Sequence, residues 1–261
     1  MNLTINNPAK LEAFSAIFQN MKLFSDNVNI SLESTGLFLQ AMDAGRVSVV
    51  ELTIPNDWFD SYSVVNSMTI GLNAVIFHKI LSTRDKSQNI QIEAGDNPDT
   101  LLVRFKSSDS AVFDKTFEIP LIDIDSETMS IPTIEYQAEF SLPSVNFNNL
   151  MNQLKMFGEN MDVDCSEENI VLYSSSQDCG KMSVEIKIDD LNSFSIDEGE
   201  RLAMSFSLMY LYNISQFHKI SKEVELKFKR DYPVQLVYNL GAENASLRFF
   251  LAPKIKDEDT D

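Results

Sequence analysis

Two hydrophobic rhythms alternate along this chain. Four segments carry apolar residues at i, i+3 and i+4, the spacing that lines one face of a helix. Residues 8–24 place Leu11, Phe14, Ile17, Phe18 and Met21 in this way, and residues 72–87 place Ala74, Phe77, Ile80 and Leu81 behind Asn73, a plausible cap. Residues 144–157 follow Pro143, with Ser144 as a candidate cap and Phe147, Leu150, Met151 and Leu154 on the apolar face. Residues 205–221 carry Leu208, Leu211, Tyr212, Ser215 and Phe217. Between them run alternations of apolar and polar residues, such as Val28-Asn29-Ile30-Ser31-Leu32, Asn89-Ile90-Gln91-Ile92-Glu93, Met182-Ser183-Val184-Glu185-Ile186-Lys187-Ile188 and Val224-Glu225-Leu226-Lys227-Phe228. Period two predicts strands with one buried and one solvated face, hence largely antiparallel sheets. Short helices separated by several such strands predict an α+β fold with its helices on one side of the sheet.

The two halves of the pattern repeat. Asp26-Asn27-Val28-Asn29-Ile30 resembles Glu159-Asn160-Met161-Asp162-Val163, Phe14 and Phe147 begin comparable helix cores, and Asp96-Asn97-Pro98 precedes a strand as Asp231-Tyr232-Pro233 does. These pairs are 133 to 135 residues apart. A constant offset over several pairs signals internal duplication. It predicts two similar domains, 1–117 and 137–256, with a connector at 118–136 bearing proline at both ends, and an acidic tail at 257–261.

Composition narrows the class. The 261 residues, 44% of them apolar, suffice for a folded core. No run of about 18 apolar residues predicts a membrane-spanning helix, and Met1-Asn2-Leu3-Thr4 lacks the blocks of a secretion signal. Cys165 and Cys179 have no metal-ligand spacing and are too few for a disulfide framework, so both read as reduced and intracellular.

The net charge of −18 argues, taken globally, against binding a polyanion. Its distribution changes that picture. The four helical segments contain seven basic residues, Lys10, Lys22, Lys79, Arg84, Lys86, Lys155 and Lys219, against two acids, Glu12 and Asp85, a surplus of +5 that leaves −23 elsewhere. Two readings fit: lysines simply flanking amphipathic helices, or a positive helical surface that meets phosphates without reading bases while an acidic exterior repels unrelated DNA.

Several possible sites dissolve on inspection. Asp123, Asp125 and Glu127 suggest the opening of a calcium loop, but Thr128 stands where glycine is needed and Ile134 where the closing glutamate belongs. Asp96 and Asp99 could suit a metal-dependent nuclease, yet an Asn-Pro turn explains them. His78 and His218 have no nucleophile motif nearby, Trp58 reads as packing, and eight glycines hold no phosphate loop. No catalytic residue, metal site or cofactor is predicted.

Ordered strings along the chain then carry a resemblance. They are Leu39-Gln40-Ala41-Met42-Asp43 with Arg46-Val47-Ser48, Gly71-Leu72-Asn73 ahead of Lys79-Ile80-Leu81, and Asp96-Asn97-Pro98-Asp99-Thr100-Leu101. Leu121-Ile122-Asp123-Ile124-Asp125, Ile131-Pro132, Leu142-Pro143-Ser144 and Phe249-Phe250-Leu251-Ala252-Pro253-Lys254-Ile255 complete the series. In order and spacing the chain resembles the proliferating cell nuclear antigen family of eukaryotic DNA sliding clamps. The resemblance implies the DNA clamp fold, two similar domains each built of duplicated helix-plus-antiparallel-strand units. It further implies closure into a pseudo-sixfold homotrimeric ring whose helices line a hole around duplex DNA, held without sequence specificity.

The same resemblance assigns residues. Lys10, Lys22, Lys79, Arg84, Lys86, Lys155, His218 and Lys219 would face DNA. Phe113, Phe117 and Ile119 on an edge strand at 111–119 would meet Met182, Val184 and Ile186 on another at 180–188 across the subunit boundary. Met42, Arg46, Val49, Met129, Ile131, Pro233, Phe250, Ala252 and Pro253 would form the pocket beneath the connector that takes short peptides of DNA polymerase, nuclease and ligase. A clamp loader is the other implied partner, no membrane is, and the nucleus, or a viral replication site, is the implied location. Departures are expected to matter. Ser15, Ala16, Asn149, Asn152, Met209 and Gln216 stand where basic residues face DNA in typical members, Glu167 replaces a modified lysine, and Phe250 replaces a tyrosine, which suggests a viral or protist lineage. Alternatives are a heterotrimeric checkpoint-clamp subunit, a monomeric viral processivity factor, and a carboxylate-metal enzyme acting through Asp96 or Asp99.

Overall fold

The computed structural model describes residues 1–96, 98–125 and 128–255. Asn97 of the Asp-Asn-Pro turn, Glu127 of the rejected calcium loop and the acidic tail lie outside them. The chain divides into two compact units. The first holds Met1–Ala44, Val50–Met129 and the returning segment Asn239–Leu247; the second holds Gly45–Val49, Ser130–Tyr238 and the chain from Arg248 onward.

The first unit runs β1 (Asn2–Ile5), α1 (Pro8–Met21), β2 (Asn27–Glu33), β3 (Gly36–Met42), most of β4 (Ser48–Pro55), β5 (Ser61–Ser63), β6 (Met68–Asn73), α2 (Ala74–Leu81), β7 (Ile90–Glu93), β8 (Thr100–Phe105) and β9 (Lys115–Pro120). Its strands lie in the orders β5-β1-β7-β8-β9 and β4-β3-β2-β6. The second unit runs β10 (Ala138–Pro143), α3 (Ser144–Leu154), β11 (Asn160–Cys165), β12 (Asn169–Ser176), β13 (Gly180–Lys187), β14 (Ser193–Ile196), β15 (Leu202–Ser207), α4 (Leu208–Ser215), β16 (Glu223–Phe228) and most of β17 (Val234–Asn239) and β18 (Ser246–Leu251). Here β13-β12-β11-β15 forms one sheet, and β14, β10, β16, β17 and β18 follow one another in the other. The pairs with a given register are all antiparallel, as the period-two alternation requires.

Each unit packs two helices against its sheets through the residues the spacing selects. Leu11, Phe14, Ile17, Phe18 and Met21 of α1 are buried, as are Phe147, Met151 and Leu154 of α3. The aromatic rings interlock: Phe18 meets Phe77 of α2 edge-on with centroids 4.7 Å apart, and in the second unit Phe140 stacks on Phe228 at 5.5 Å. Each fully buried ring is worth about 1.5–3 kcal/mol of transfer free energy.

The helices are shorter than the apolar spacing predicts. The segments 72–87 and 205–221 each begin in a strand, β6 and β15, whose last apolar residues run on into the helix pattern. Their ends also differ between the units. Asn7 Oδ1 accepts the Ala9 and Lys10 amides at the start of α1, and Asn73 Oδ1 accepts the Ile76 amide at the start of α2. In the second unit the cap positions, Pro143 and Ser207, make no side-chain cap bond. Ser144 is therefore no cap; it is the first residue of α3, and its hydroxyl donates inward to the carbonyls of His218 and Ser221. Trp58 is fully buried, its indole N–H donating to Leu240 O at 3.0 Å.

Candidate nucleic-acid and partner surfaces

Apart from Lys10, in the first turn of α1, the cations of the helical segments gather at or past the helix C-termini. Lys22 is the C-cap residue of α1 and Lys155 that of α3, 133 residues later, while Lys219 sits in the 3-10 turn after α4. Lys79 stands in the last turn of α2 and Lys86 in the loop beyond it. Positive charge at these ends opposes the partial negative charge of the helix dipole, so the same placement stabilises the helix and leaves an exposed ammonium. Lys22, Lys79, Lys86, Lys155 and Lys219 are all exposed. Lys155 also lies 3.3 Å from the Tyr212 ring centroid, which ties the end of α3 to α4.

Two of the expected DNA-facing residues are turned inward. Lys10 donates its ammonium to Trp58 O and rests 5.4 Å from the indole centroid. The Arg84 side chain is only 5% exposed; it pairs with Glu12 at 2.8 Å and donates to the carbonyls of Asp85 and Gln88. Both lie in cation-rich segments, but a buried backbone carbonyl or a carboxylate claims their charge. His78 is half-buried, and burial, followed by the nearby Lys22 ammonium, holds its imidazole below the usual range, so it is neutral at pH 7. His218 Nδ1 lies 3.1 Å from Ser215 O.

Apart from Glu12 on α1, the rest of the exposed helix surface is uncharged. Ile76, Val145 and Met209 are exposed, as are Asn146, Asn149 and Gln153. Ser15, Asn152 and Gln216 are half-buried, and Ala16 is buried, so Ala16 cannot line a DNA-facing surface.

In the first unit the connector is strapped over the face of β6, β2 and β3. The Ile122 amide donates to Gly71 O at 2.9 Å, and Asn29 Nδ2 donates to Ile124 O at 3.0 Å. Gln40 then closes a reciprocal pair with Met129, donating to its carbonyl at 2.9 Å and accepting from its amide at 2.7 Å, while also donating to Glu51. Glycine at 71 is a condition of this approach, because a Cβ there would stand 2.1 Å from Ile122 O. Beneath the strap lies a groove of about 300 Å³ lined by Met42, Met129, Ile124, Phe38, Gln40 and Asn29, among others. Met42 and Met129, both expected in the partner pocket, share this groove. Gln40 and Gly71 stand within the motif strings without a role that the sequence declares, and Asn29 stands within a strand alternation; an amide that mimics a strand partner looks like any surface amide.

Arg46, Val49, Ile131, Pro233, Phe250, Ala252 and Pro253 belong to the second unit. There the Ala252 amide donates to Val47 O at 3.0 Å, which holds the C-terminal strip beside the turn bearing Arg46. Arg46 is exposed at φ 56°, a left-handed conformation uncommon for a side-chain-bearing residue. Val49, Ile131, Pro233, Phe250, Ala252 and Pro253 are half-buried. Elsewhere on this unit Glu167 accepts the Gly199 amide at 2.8 Å, and the Arg201 guanidinium, bonded to Asp164, holds that carboxyl below the usual carboxylate range.

The two strands singled out for subunit contact, β9 and β13, are outermost strands of their sheets. On β13, Met182, Val184 and Ile186 pair across from Ser174, Leu172 and Ile170 and carry the buried row of β12 out to the edge. On β9, Phe117 and Ile119 do the same for Val103 and Leu101 of β8. Ile119 is 2% exposed, which corrects its place in the expected contact: its side chain belongs to its own core, and its backbone alone reaches the edge. The strand expected over 111–119 begins only at Lys115, because Asp109 accepts the Ala111 and Val112 amides and folds 109–112 into a turn. Phe113 follows that turn, 84% exposed.

Cys165 is buried, its thiol pushed up to about 11 by burial and then by Asp164, and Cys179 is exposed; neither is in a disulfide. Among the described residues no cluster of histidine, cysteine and carboxylates could hold a metal ion.

Comparison with known proteins covers nearly the whole chain. Residues 9–128 match the family model of the proliferating cell nuclear antigen N-terminal domain, and residues 130–255 match that of its C-terminal domain. A curated relative, the proliferating cell nuclear antigen of Chaetomium thermophilum, is 29% identical over 259 residues, covering 96% of this chain and 99% of the relative.

Proposed function

Because the chain belongs to the proliferating cell nuclear antigen family and is a DNA sliding clamp, we propose that three copies close into a ring around duplex DNA and tether polymerases, nucleases and ligases there. The ring forms by pairing β9 of one copy with β13 of the next. The observation that supports this most directly is that each unit ends one of its sheets on a strand whose apolar row runs out to the edge. A head-to-tail contact between two different edges is heterologous, and it closes a ring when the rotation per copy divides the circle.

DNA is held by enclosure. Lys22, Lys79, Lys86, Lys155 and Lys219 meet phosphates, with His218 beside them, and the amides and apolar side chains of α3 and α4 reach DNA through water or not at all. A weak, uncharged lining suits sliding, since strong phosphate contacts at fixed positions resist translation. Partner proteins insert a helical turn into the groove of Met42 and Met129, whose flexible side chains suit many sequences. The protein has no catalytic step of its own, is opened by a loader, and acts in the nucleus.

Sedimentation velocity at micromolar concentration tests the ring: a species near three times the 29.6 kDa chain mass is expected. A single species at the chain mass contradicts the reading. A Met42→Glu variant is expected to keep the trimer and lose partner peptides, measured by titration calorimetry.

A further inference from the structure

The connector strapped over the first unit has a counterpart at the end of the second. The Ile122 amide donates to Gly71 O on β6 at 2.9 Å, and the Lys254 amide donates to Ser205 O on β15 at 2.7 Å. The two donors are 132 residues apart and the two acceptors 134, close to the repeat offset. The strands beneath match as well, in the orders β6-β2-β3 and β15-β11-β12. In the first unit the strap goes on across the bed, gripped by Asn29 at Ile124 and by Gln40 at Met129. In the second unit the described chain ends at Ile255, 92% exposed and one residue past the first grip.

Strand register identifies what replaces the two gripping amides. Asn29 pairs with Gly71, and the pairing of Ile30 with Leu39 sets Gln40 on its other side. In the second unit Asp162 pairs with Ser205 on one side and Tyr173 on the other. Asp162 thus stands where Asn29 stands and Tyr173 where Gln40 stands, both at an offset of 133. Both point away from the core, since Met161, Val163 and Leu172 beside them are buried. The exchange changes what the bed can bind. Asn29 and Gln40 donate to backbone carbonyls, whereas a carboxylate only accepts and a tyrosine presents the face of its ring.

That ring already holds a cation. Lys181, diagonal to it on β13, lies 4.4 Å from the Tyr173 centroid. The Asp162 side chain beside it is half-buried and has no hydrogen bond or ion pair among the described residues. Side chains paired across antiparallel strands stand about 5 Å apart. One guanidinium therefore reaches both, bidentate to the carboxylate and with its flat face against the ring. A lysine supplies the charge without that face. We propose that the outer face of β11 and β12 around Asp162 and Tyr173 is a second docking bed, which takes an extended, arginine-bearing segment of a partner protein. The segment lies as the connector lies on the first unit, and Lys181 holds the ring until the arginine displaces it. A partner held at Ala252 and Pro253 reaches the bed along the strip that ends on Ser205. Binding there requires neither ring closure nor DNA.

The test titrates the capped pentapeptide Ser-Ser-Arg-Ser-Ser into the full chain and follows amide resonances by NMR. Saturable shifts are expected at Asp162, Tyr173, Ser183 and Ser205, with weaker binding of the lysine peptide Ser-Ser-Lys-Ser-Ser. Asp162→Asn, which keeps the shape of the side chain, is expected to weaken the arginine peptide by about fivefold. Tyr173→Leu weakens it by about threefold, and Lys181→Ala tightens it by about twofold by vacating the ring. Lys187→Ala, an exposed lysine farther along β13, leaves it unchanged. Shifts scattered over the acidic surface, with Asp162→Asn no more effective than the exposed Glu168→Gln, would show attraction to net charge alone and overturn the bed. Lys256→Ala separates the other possible occupant: tightening by about tenfold or more, the mark of a tethered competitor, would assign Asp162 to the chain's own end and refute a partner segment.

Discussion

The helix pairs of the two units are repeats of one design, and they differ on the side away from the core. Inside, position matches position at an offset of 133: Phe14 with Phe147, Phe18 with Met151, Met21 with Leu154, all buried. The C-cap lysines, Lys22 and Lys155, keep the same offset. Outside, the first unit caps both helices with asparagine and adds Lys79 and Lys86, while the second caps neither with a side chain and exposes Val145, Asn149 and Met209. Packing density punishes change at a buried position, whereas a surface position is free to drift until a partner constrains it. The matching pairs thus mark what the fold requires, and the mismatched ones mark where the exposed surfaces of the two halves have diverged.

The comparison breaks first, if it breaks, in the cores. Phe14→Ala and Phe147→Ala are each expected to cost about 3–5 kcal/mol in chemical denaturation, with closely similar values. A gap comparable to the whole effect would mean that the two cores are not equivalent. The caps sharpen the contrast at lower energy. Asn7→Ala and Asn73→Ala should each cost about 1 kcal/mol, while Ser207→Ala changes stability by only about a few tenths, since its hydroxyl caps nothing.

Much of this was legible in the residues, for a physical reason. Period and offset are local or self-referential properties, so the α+β class, the duplication and the buried faces of α1 and α3 follow from the chain itself, whereas the edge position of residues 180–188 came only with the family resemblance. Lys10 and Arg84 could not be placed this way. What claims their charges, Trp58 O and Glu12, lies 48 and 72 residues off in sequence, and segment charge says nothing of where a long side chain ends. Gln40 escaped for the converse reason: an amide that substitutes for a strand has the composition of an ordinary surface residue.

On DNA the contrast predicts unequal lysines. Lys22→Ala should reduce the slope of log affinity against log salt by about one for each phosphate it neutralises, and Lys155→Ala should do likewise. Lys10→Ala should leave the slope unchanged, because its ammonium is already bound to Trp58 O; equal effects of Lys10 and Lys22 would overturn the assignment. The smallest expected effect is that of His78. Its folded pKa is depressed, so the unfolded chain binds the proton more readily, and the folded state loses stability as pH falls through the ordinary histidine value of about 6.5. His78→Gln should flatten the stability profile between about pH 7 and pH 5, measured by thermal melts across that window.

The central claim is that this clamp stays on DNA by enclosing it. The direct measurement loads the protein onto a closed circular duplex, removes free protein, and cuts the circle once. A sliding ring remains bound to the intact circle at high salt and is lost from the cut DNA within the time needed to diffuse to an end. Retention that is unaffected by cutting, and abolished by salt on the closed circle, would show binding by charge alone and contradict the account.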